Sequence, residues 1–456
     1  MRTVLIRIWL LVFAVHFRPA ANAQDTATPL DAYVRHGLEN NLVLQQKNIR
    51  LDQALLALRE ANSLFSPGVT LLGNYINGTG GRSISFPVGD LLNPVYATLN
   101  QLTASGAFPQ IENVTTNFFP RDFYDVRART AMPLLNTDLI YNRKIKGQQV
   151  LLQEDEIRIY QRELVRDIKT AYYNFRSAHE SVFVHQSALN RALEGKRVNE
   201  RLLENGKGLP AYLARSESEI ESIRAQLTES ERQSENARLY FNFLLNREPM
   251  SAIDTDFKPA LPAIAMTPSA DPAPVQREEL AQLMNLQEIN RHAVKMNRLF
   301  WTPRISGFVD LGAQAENLVY NSNARYSLTG LQLEMPLFAG FGNRRKVQQL
   351  ELEVRNSSLN LQVAQYRIRM AAEVSRNALI SAYQNHQAAL KQLEAAQSYQ
   401  RLIEKGYKEG LNSFLETVDA RTQLTYAELQ VRVNLYKALI AEAALERETA
   451  AYPLND

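Results

Sequence analysis

The sequence predicts a mainly α-helical, exported protein that also carries a few membrane β-strands. Three observations predict this class: an N-terminal export signal, six long stretches without internal proline, and four short stretches in which apolar and polar residues alternate. Similar sequence marks recur at nearly constant spacing along the chain, so we expect two tandem structural repeats.

The first 23 residues have the order of a secretory signal peptide. An apolar stretch follows Arg2, and Ala21-Asn22-Ala23 has the small-x-small pattern of a cleavage site. The apolar part is too short to remain as a spanning helix, so we expect the mature chain to begin at Gln24, with an N-terminal anchor as the alternative. Removing residues 1–23 deletes three arginines and takes the 51 basic residues to 48, equal to the 48 acidic ones. Binding to nucleic acid is therefore not expected.

Composition also argues against catalysis. The chain has no cysteine, which excludes disulfides, thiolate metal sites, cysteine nucleophiles and a lipid-anchor cysteine. No pair of histidines in the mature chain has the spacing of metal ligands, and Gly206-Lys207 lacks the rest of a phosphate-binding loop. We predict that the protein is not an enzyme and binds no cofactor.

Helix is predicted for the long stretches that lack internal proline. They are rich in good helix formers, and their apolar positions recur at intervals of three and four residues. The two longest hold about 70 residues each, which corresponds to roughly 100 Å of helix. Two shorter helices per repeat could lie end to end and antiparallel beside each long one. We therefore expect a layer of helices about as tall as one long helix. The predicted helices are 30–64, 138–205, 210–248, 275–300, 339–408 and 412–450.

Recurring marks define the two repeats. The Met-Pro-Leu at Pro133 recurs at Pro336, an offset of 203, and the Gly-Leu pair at Gly208 recurs at Gly410, an offset of 202. The segment between the repeats is rich in proline and has no periodicity, so it is predicted to be a linker. The predicted organisation is a first helix-strand-strand-helix repeat over 24–248, a linker over 249–274 and a second repeat over 275–456.

Four segments alternate as the strands of a membrane barrel do, with one apolar and one polar face. On these segments alone, a soluble sheet with one wet face would explain the alternation equally well. Prolines at the strand-helix junctions favour the barrel, because each strand pair then continues into long helices on the same side. The predicted strands are 66–76, 122–134, 302–314 and 325–337; the side chains predicted to face the lumen are Asp125, Arg127, Arg129, Asp310, Gln332 and Glu334.

The number of strands predicts the oligomeric state. Four strands are too few for a membrane barrel, and an open sheet edge is not tolerated in lipid. Two copies would give a barrel of eight strands filled by side chains, whereas three copies give 12 strands and room for a lumen. We therefore expect a trimeric, 12-stranded transmembrane β-barrel with four strands from each chain.

The joint order of these marks resembles TolC-type outer membrane efflux proteins, the outer membrane factors of tripartite export systems. The resemblance rests on the Pro-Leu entries at Pro133 and Pro336 and the Gly-Leu reversals at Gly208 and Gly410, and covers nearly all of residues 30–450. It implies a homotrimer whose 12-stranded barrel lies in outer-membrane lipid and continues into a long periplasmic α-helical barrel. It also implies a passive duct that a periplasmic adaptor (a membrane fusion protein) docks and an inner-membrane pump drives.

The resemblance further assigns gating residues at the periplasmic tip. Tyr407 resembles the tyrosine that ties neighbouring helix pairs together, and Glu416 and Asp419 occupy the family's acidic constriction positions. Three copies would make two rings of carboxylates that favour cations. Asn412 stands where well-studied members place a basic residue, and Glu217, nine residues after the first Gly-Leu pair, is the acid of the first repeat. The alternative for these acids is an ordinary solvated helix face.

The Gly-Leu reversals have a structural and a binding interpretation. Gly208 and Gly410 are expected to end one helix and let the chain turn back. The exposed turns around them, with Leu209 and Leu411, are where the family's adaptors bind.

One outer loop is unusually long. Ser66 and Pro133 are 67 residues apart, whereas Thr302 and Pro336 are 34 apart, and the extra residues fall in a loop over about 77–121. Several leucines there are spaced as in an amphipathic helix. Apolar surface at an outer loop needs a partner, so we expect residues 84–118 to pack over or into the barrel mouth. Deleting this segment is then expected to raise single-channel conductance.

A different class of protein competes with the duct. A soluble periplasmic coiled-coil adaptor or scaffold, with its strands in a small wet-faced sheet, would show the same helical pattern. Such a protein would fractionate without detergent, whereas a duct requires outer-membrane fractionation.

Overall fold

The computed structural model describes residues 28–118, 122–256, 261 and 277–454. The predicted signal peptide, 1–23, and most of the predicted linker, 249–274, lie outside the described residues. The chain divides into two compact units. The hairpin unit comprises Met1–Asn41, Leu164–Met266 and Ala378–Ala443; the sheet unit comprises Leu42–Glu163, Thr267–Asn377 and Ala444–Asp456.

Helices dominate the described residues, as the sequence predicts. They are α1 (Pro29–Asn40), α2 (Leu42–Ser63), α3 (Val88–Thr103), α4 (Thr137–Glu204), α5 (Pro210–Leu244), α6 (Glu278–Arg298), α7 (Gly342–Lys408) and α8 (Phe414–Thr449). The two longest predicted helices, 138–205 and 339–408, are present as α4 and α7. Among the described helices, none combines the length and the apolar character needed to cross a lipid bilayer.

The predicted helix 30–64 is interrupted at Asn41. This residue caps α1 in an extended conformation, and its backbone N–H donates to the carbonyl of Gly37 at 2.9 Å. Its side-chain amide donates to the carbonyl of Leu244 at 3.1 Å. A long-range hydrogen bond thus stabilises a break that helix propensity alone does not indicate.

The core of the hairpin unit includes an aromatic cluster around Tyr172 and Phe241, both fully buried. The ring of Tyr33 meets that of Phe241 edge-on, with 5.1 Å between centroids. The Tyr172 hydroxyl donates to the carbonyl of Asp254 at 3.1 Å, and the backbone N–H of Asp254 donates to the Tyr33 hydroxyl at 2.8 Å. The cluster therefore buries apolar rings and also satisfies their hydroxyl groups.

The sheet unit contains a four-stranded antiparallel sheet in the order β1-β4-β5-β6. Its strands confirm the four predicted segments, although β6 ends three residues before the predicted end at 337. A separate two-stranded sheet pairs β2 with β3. The strands are β1 (Gly68–Ile76), β2 (Ser83–Phe86), β3 (Val114–Asn117), β4 (Phe123–Leu135), β5 (Arg304–Ala315) and β6 (Arg325–Glu334).

The long loop between β1 and β4 is itself structured. It forms β2, α3 and β3, and α3 confirms the amphipathic helix expected there. Two asparagines on α3 hold the following segment through paired hydrogen bonds: Asn93 exchanges two with the backbone of Ile111, and Asn100 exchanges two with the backbone of Phe108, all between 2.8 and 3.0 Å. The loop is therefore held by specific bonds to its own backbone.

Candidate functional site

The two faces of the four-stranded sheet differ in chemistry. Residues paired across an antiparallel sheet lie on the same face, and Arg129 pairs with Asp310. All six side chains predicted to face a lumen share this polar face, since Gln332 and Glu334 pair with Ser306 and Arg304. The opposite face is apolar and exposed: Val69, Leu71, Val126, Val309, Leu311, Leu331 and Leu333.

An ion-pair network covers the polar face. The guanidinium of Arg129 donates to both carboxylate oxygens of Asp310, at 2.6 and 2.7 Å, and Asp310 is only 1% exposed. Arg127 lies between Asp310, at 3.8 Å, and Asp125, which it contacts closely. The Tyr326 hydroxyl donates to Asp125 at 2.8 Å. Because the carboxylates are paired, the network joins β4, β5 and β6 without an isolated buried charge.

The second group of predicted residues lies at the two helix reversals of the hairpin unit. The first tip, residues 204–213, joins α4 to α5; the second tip, residues 408–416, joins α7 to α8. At the second tip, Gly410 has φ of +80°. Its N–H donates to Tyr407 O at 3.1 Å, and the next N–H, of Leu411, donates to Gly406 O at 2.7 Å. This Schellman pattern ends α7, as predicted for Gly410.

At the first tip the prediction for Gly208 is wrong, because Gly206 ends α4. Gly206 has φ of +69°, its N–H donates to Leu203 O at 2.9 Å, and the N–H of Lys207 donates to Leu202 O at 2.8 Å. Gly208 has another constraint: a Cβ there would lie 2.6 Å from the backbone nitrogen of Leu203. A left-handed φ is needed only where the helix ends, and that position precedes the Gly-Leu pair.

This finding changes how the two tips correspond. Gly206 and Gly410 are 204 residues apart, not 202. Counted from Gly206, the positions equivalent to Glu416 and Asp419 are Tyr212 and Arg215, so neither is acidic. Glu217 instead corresponds to Arg421, and its carboxylate accepts from Lys196 Nζ at 3.0 Å.

Glu416 has a structural partner that the sequence interpretation missed. Its carboxylate accepts from the N–H of Ser413 at 2.6 Å, and its own N–H donates to the Ser413 hydroxyl at 3.3 Å. This is a capping box that begins α8. The hydrogen bonds from the Ser413 N–H, then its hydroxyl and the Asn412 amide, lower the pKa of Glu416. Asp419, one turn on, accepts from Gln423 at 2.7 Å, and both acids are exposed.

Tyr407 links the α7–α8 hairpin to the α4–α5 hairpin. Its hydroxyl donates to Asn199 Oδ1 on α4 at 2.6 Å, and Asn199 Nδ2 donates to Ser216 Oγ on α5 at 2.9 Å. Asn199 and Ser216 are buried, so neither can exchange its partner freely with water. A tyrosine phenol is already protonated at neutral pH, and burial raises the pKa of Tyr407 further, so its hydroxyl is a donor.

A buried ion pair lies beside this hydrogen-bond chain. Arg421 on α8 donates to both carboxylate oxygens of Glu219 on α5, at 2.8 and 3.2 Å. Its guanidinium also lies against Gly195 on α4, where a Cβ would approach Nη1 to 2.5 Å. The Phe414 ring is 1% exposed and packs against Tyr212 with 5.1 Å between centroids. Three helices therefore meet around Arg421.

Sequence reasoning did not find Asn199, Ser216, Glu219 or Arg421. Polar residues are common on helix surfaces, and nothing in the local pattern marks these as buried. The capping box could have been predicted from the sequence, because Ser413-Phe-Leu-Glu416 has the S-x-x-E spacing just before an apolar run. Leu209 and Leu411 are exposed at the tips, as an interaction surface requires. Within the described ranges, no group of three or more histidine, aspartate or glutamate residues could hold a metal ion.

Comparison with known proteins agrees with these features. The family model described as outer membrane efflux protein matches residues 273–450. The fold is similar to that of the outer-membrane channel OprN, at 17% sequence identity over 92% of this chain and 89% of that chain, with a TM-score of 0.75.

Two further solved structures are similar. The Campylobacter jejuni outer membrane channel CmeC matches at 14% identity over 92% of this chain and 85% of its own, with a TM-score of 0.74. The Vibrio cholerae outer membrane protein VceC matches at 13% identity over 92% and 95%, with a TM-score of 0.72. No curated protein matches the sequence. The predicted resemblance to TolC-type outer membrane efflux proteins is confirmed, and the chain has the fold of outer membrane efflux channels.

Proposed function

We propose that this chain, which has the fold of outer membrane efflux channels and matches their family model over residues 273–450, is the passive outer-membrane duct of a tripartite efflux or secretion system. The observation that carries the proposal is the four-stranded sheet with one exposed apolar face and one ion-paired polar face. A sheet of this kind suits lipid on one side and a water-filled lumen on the other.

The proposed duct is a homotrimer. In the described part of the chain, β1 and β6 are the edge strands of the sheet. Pairing β6 of each copy with β1 of the next would satisfy both edges, and three copies would close a barrel of 12 strands in outer-membrane lipid. The polar face, with Asp125, Arg127, Arg129 and Asp310, would then line the lumen. Each chain's ion pairs compensate one another there, so we expect this part of the lumen to have weak charge selectivity.

A gate at the periplasmic tip is the second part of the proposal. Three copies of Glu416 and Asp419 would form two rings of carboxylates that favour cations and resist anions. The bond from Tyr407 to Asn199 holds α7 against α4, so we propose that opening breaks or rearranges it. Asn412 donates to Glu416 at 3.3 Å. It would orient the ring of Glu416 carboxylates, but as a neutral residue it would not hold the gate closed through an ion pair. Glu217 would act through its pair with Lys196 and would not belong to a ring.

The tips would also dock the periplasmic adaptor, through which an inner-membrane pump acts. Leu209 and Leu411 are exposed on turns whose backbone is fixed by Gly206 and Gly410, and Gly208 keeps the first turn close to the end of α4. An exposed leucine on a rigid turn offers apolar contact area at little entropic cost. This supports the two turns as the adaptor-binding surface.

The test is extraction of the mature protein from cells. We expect outer-membrane fractionation, a detergent-stable trimer and ion-conducting channels in planar bilayers. Leu311→Arg places a charge on the apolar face and should cost about 2–4 kcal/mol near the bilayer midplane, which would reduce the trimer yield. Gln314→Arg on the polar face is the matched control and should assemble normally. A water-soluble monomer that needs no detergent would reject the duct and support the periplasmic coiled-coil adaptor instead.

A further inference from the structure

Two exposed apolar patches lie in the two loops that join strands within the sheet unit. The first, the α3 stripe, comprises Leu91, Val95 and Leu102; at 3.6 residues per turn they fall on one side of α3. The second, the β5–β6 patch, comprises Leu318, Val319 and Tyr320 in the turn between β5 and β6. Leu102 is 78% exposed and Leu318 is 65% exposed, so the described residues of the same chain cover neither patch.

Both patches are held in fixed positions. The asparagines that bind α3 to its following segment, Asn93 and Asn100, lie on the side of the helix opposite the α3 stripe. In the β5–β6 turn, the N–H of Asn317 donates to the carbonyl of Asp122 at 3.0 Å. The Tyr124 hydroxyl donates to the carbonyl of Val319 at 2.8 Å. A fixed apolar patch that is open to solvent indicates a partner surface.

Strand order indicates which partner. The α3 loop joins β1 to β4, and the β5–β6 turn joins the other two strands, so both lie at the end of the sheet where the chain does not enter the helices. If β6 of one copy pairs with β1 of the next, the β5–β6 turn of the first copy lies beside the α3 loop of the second. The chain's own β5–β6 turn leaves the α3 stripe exposed, so the neighbouring copy's turn is the one available to cover it.

Charge supports contact between copies over contact with a lipid headgroup surface. The loop over 77–121 contains only two cationic residues, Arg82 and Arg121, and the guanidinium of Arg82 already lies over the Phe118 ring at 5.2 Å. Anionic headgroups would instead be met by several basic residues. Residues 317–323 of the turn contain no charged residue, but the guanidinium of Arg325 lies over the Tyr320 ring at 5.3 Å. Leu318 and Val319 can therefore be buried against the α3 stripe without desolvating an ion.

We infer that the α3 stripe of each copy packs against the β5–β6 patch of the neighbouring copy. This contact would stabilise the trimer at the outer end of the sheet. This inference rests on the proposed trimer. It also modifies the expectation that the loop packs over the barrel mouth, because the α3 stripe would instead contact the β5–β6 turn of the neighbouring copy. Deleting the loop should then weaken the association of the copies in addition to any effect on conductance.

Disulfide cross-linking tests the contact, and the natural absence of cysteine makes the experiment clean. The full chain carrying Val95→Cys and Leu318→Cys is oxidised in outer membranes and run on a non-reducing denaturing gel. We expect bands of two and three chains that collapse on reduction, because a disulfide requires the two Cα atoms within about 7 Å. The matched control, Ala97→Cys with Leu318→Cys, places the thiol on another side of α3 and should remain monomeric on the gel.

The remaining outcomes distinguish this inference from the trimer itself. Light scattering of the unoxidised variant in detergent reports whether a trimer forms. An intact trimer without cross-links, or with equal cross-linking in the Ala97→Cys control, overturns the inference and leaves the duct in place. Dimers formed by Val95→Cys alone would mean that the α3 stripes meet each other, which also overturns it. Loss of the trimer in the unsubstituted protein would reject both proposals.

Discussion

The first and second tips end their incoming helices in the same way but begin their outgoing helices differently. Gly206 and Gly410 both adopt a left-handed conformation and close the same pair of backbone hydrogen bonds. At the second tip, Ser413 and Glu416 then cap α8 reciprocally, whereas α5 begins at Leu209 and Pro210 without a side-chain cap.

This difference shows how one residue can have two roles. Glu416 is the acid proposed for the gate, and it is also the residue that holds the start of α8. Its carboxylate is therefore held by hydrogen bonds from Ser413 and Asn412 within a single chain. The first tip has neither the cap nor an acid at the equivalent position, Tyr212, whose ring packs on Phe414 instead.

Arg421→Leu should have the largest effect on stability. It leaves the Glu219 carboxylate, 9% exposed, without its partner, and removing one member of a buried ion pair costs about 3 kcal/mol or more. The matched control is Lys196→Met on α4, whose pair with Glu217 is far more exposed and should contribute much less to stability. Urea unfolding in detergent measures both. Equal losses would contradict the buried role of Arg421.

Gly206→Ala and Gly410→Ala should destabilise the protein equally, by about 1 kcal/mol each. At both positions a Cβ would meet open space, so only the left-handed backbone is strained. Gly208→Ala should cost more than either, because its Cβ would collide with the backbone of Leu203. A tolerant Gly206 with a sensitive Gly208 would restore Gly208 as the helix-ending residue.

Ser413→Ala should cost about 1 kcal/mol by removing the cap of α8. The converse change, Leu209→Ser, introduces a capping side chain at the start of α5 and should stabilise the first tip by up to about the same amount. Protease cleavage at each turn, followed over time, reports the local effect. If Ser413→Ala left cleavage of the second turn unchanged, the capping box would be irrelevant in solution.

Glu416→Gln should have the smallest effect on stability and a clear effect on conduction. Glutamine still accepts the bonds of a capping box, but the ring loses its charge, so cation selectivity should fall. The pKa of Glu416 is lowered by folding, so its contribution is present above the unfolded pKa and is lost as pH falls through the folded value. Reversal potentials should therefore keep their cation preference from pH 7 to pH 5. A preference lost already at pH 5, or one as strong in the variant as in the unsubstituted protein, would remove Glu416 from the gate.

Much of the fold was predictable from local patterns. The proline-free stretches with intervals of three and four residues became α4 and α7, and the alternating segments became β1, β4, β5 and β6. These signals are strong because they depend on periodicity over many residues. The interruption at Asn41 was not predictable, since its cause is the carbonyl of Leu244, which is far away in the chain.

The site was predicted less completely than the fold. Tyr407, Glu416 and Asp419 were assigned by position relative to Gly410, which does end α7, and their role in a gate stays a prediction. The same counting failed at the first tip, because the sequence match aligned Gly208 with Gly410 although Gly206 has the equivalent backbone conformation. Asn199 and Ser216, which complete the hydrogen-bond chain from Tyr407, are polar residues within long polar helices and show no sign of burial in the sequence.

The helices, the strands and the polar and apolar faces of the sheet follow from local patterns in the sequence, because each depends on backbone geometry and on a short period of side chains. Tertiary contacts set which polar residues are buried in pairs, such as Arg421 with Glu219, and which glycine ends α4. These depend on contacts between residues far apart in the chain, and the free energy of such a contact is set by the partner and by the exclusion of water around it.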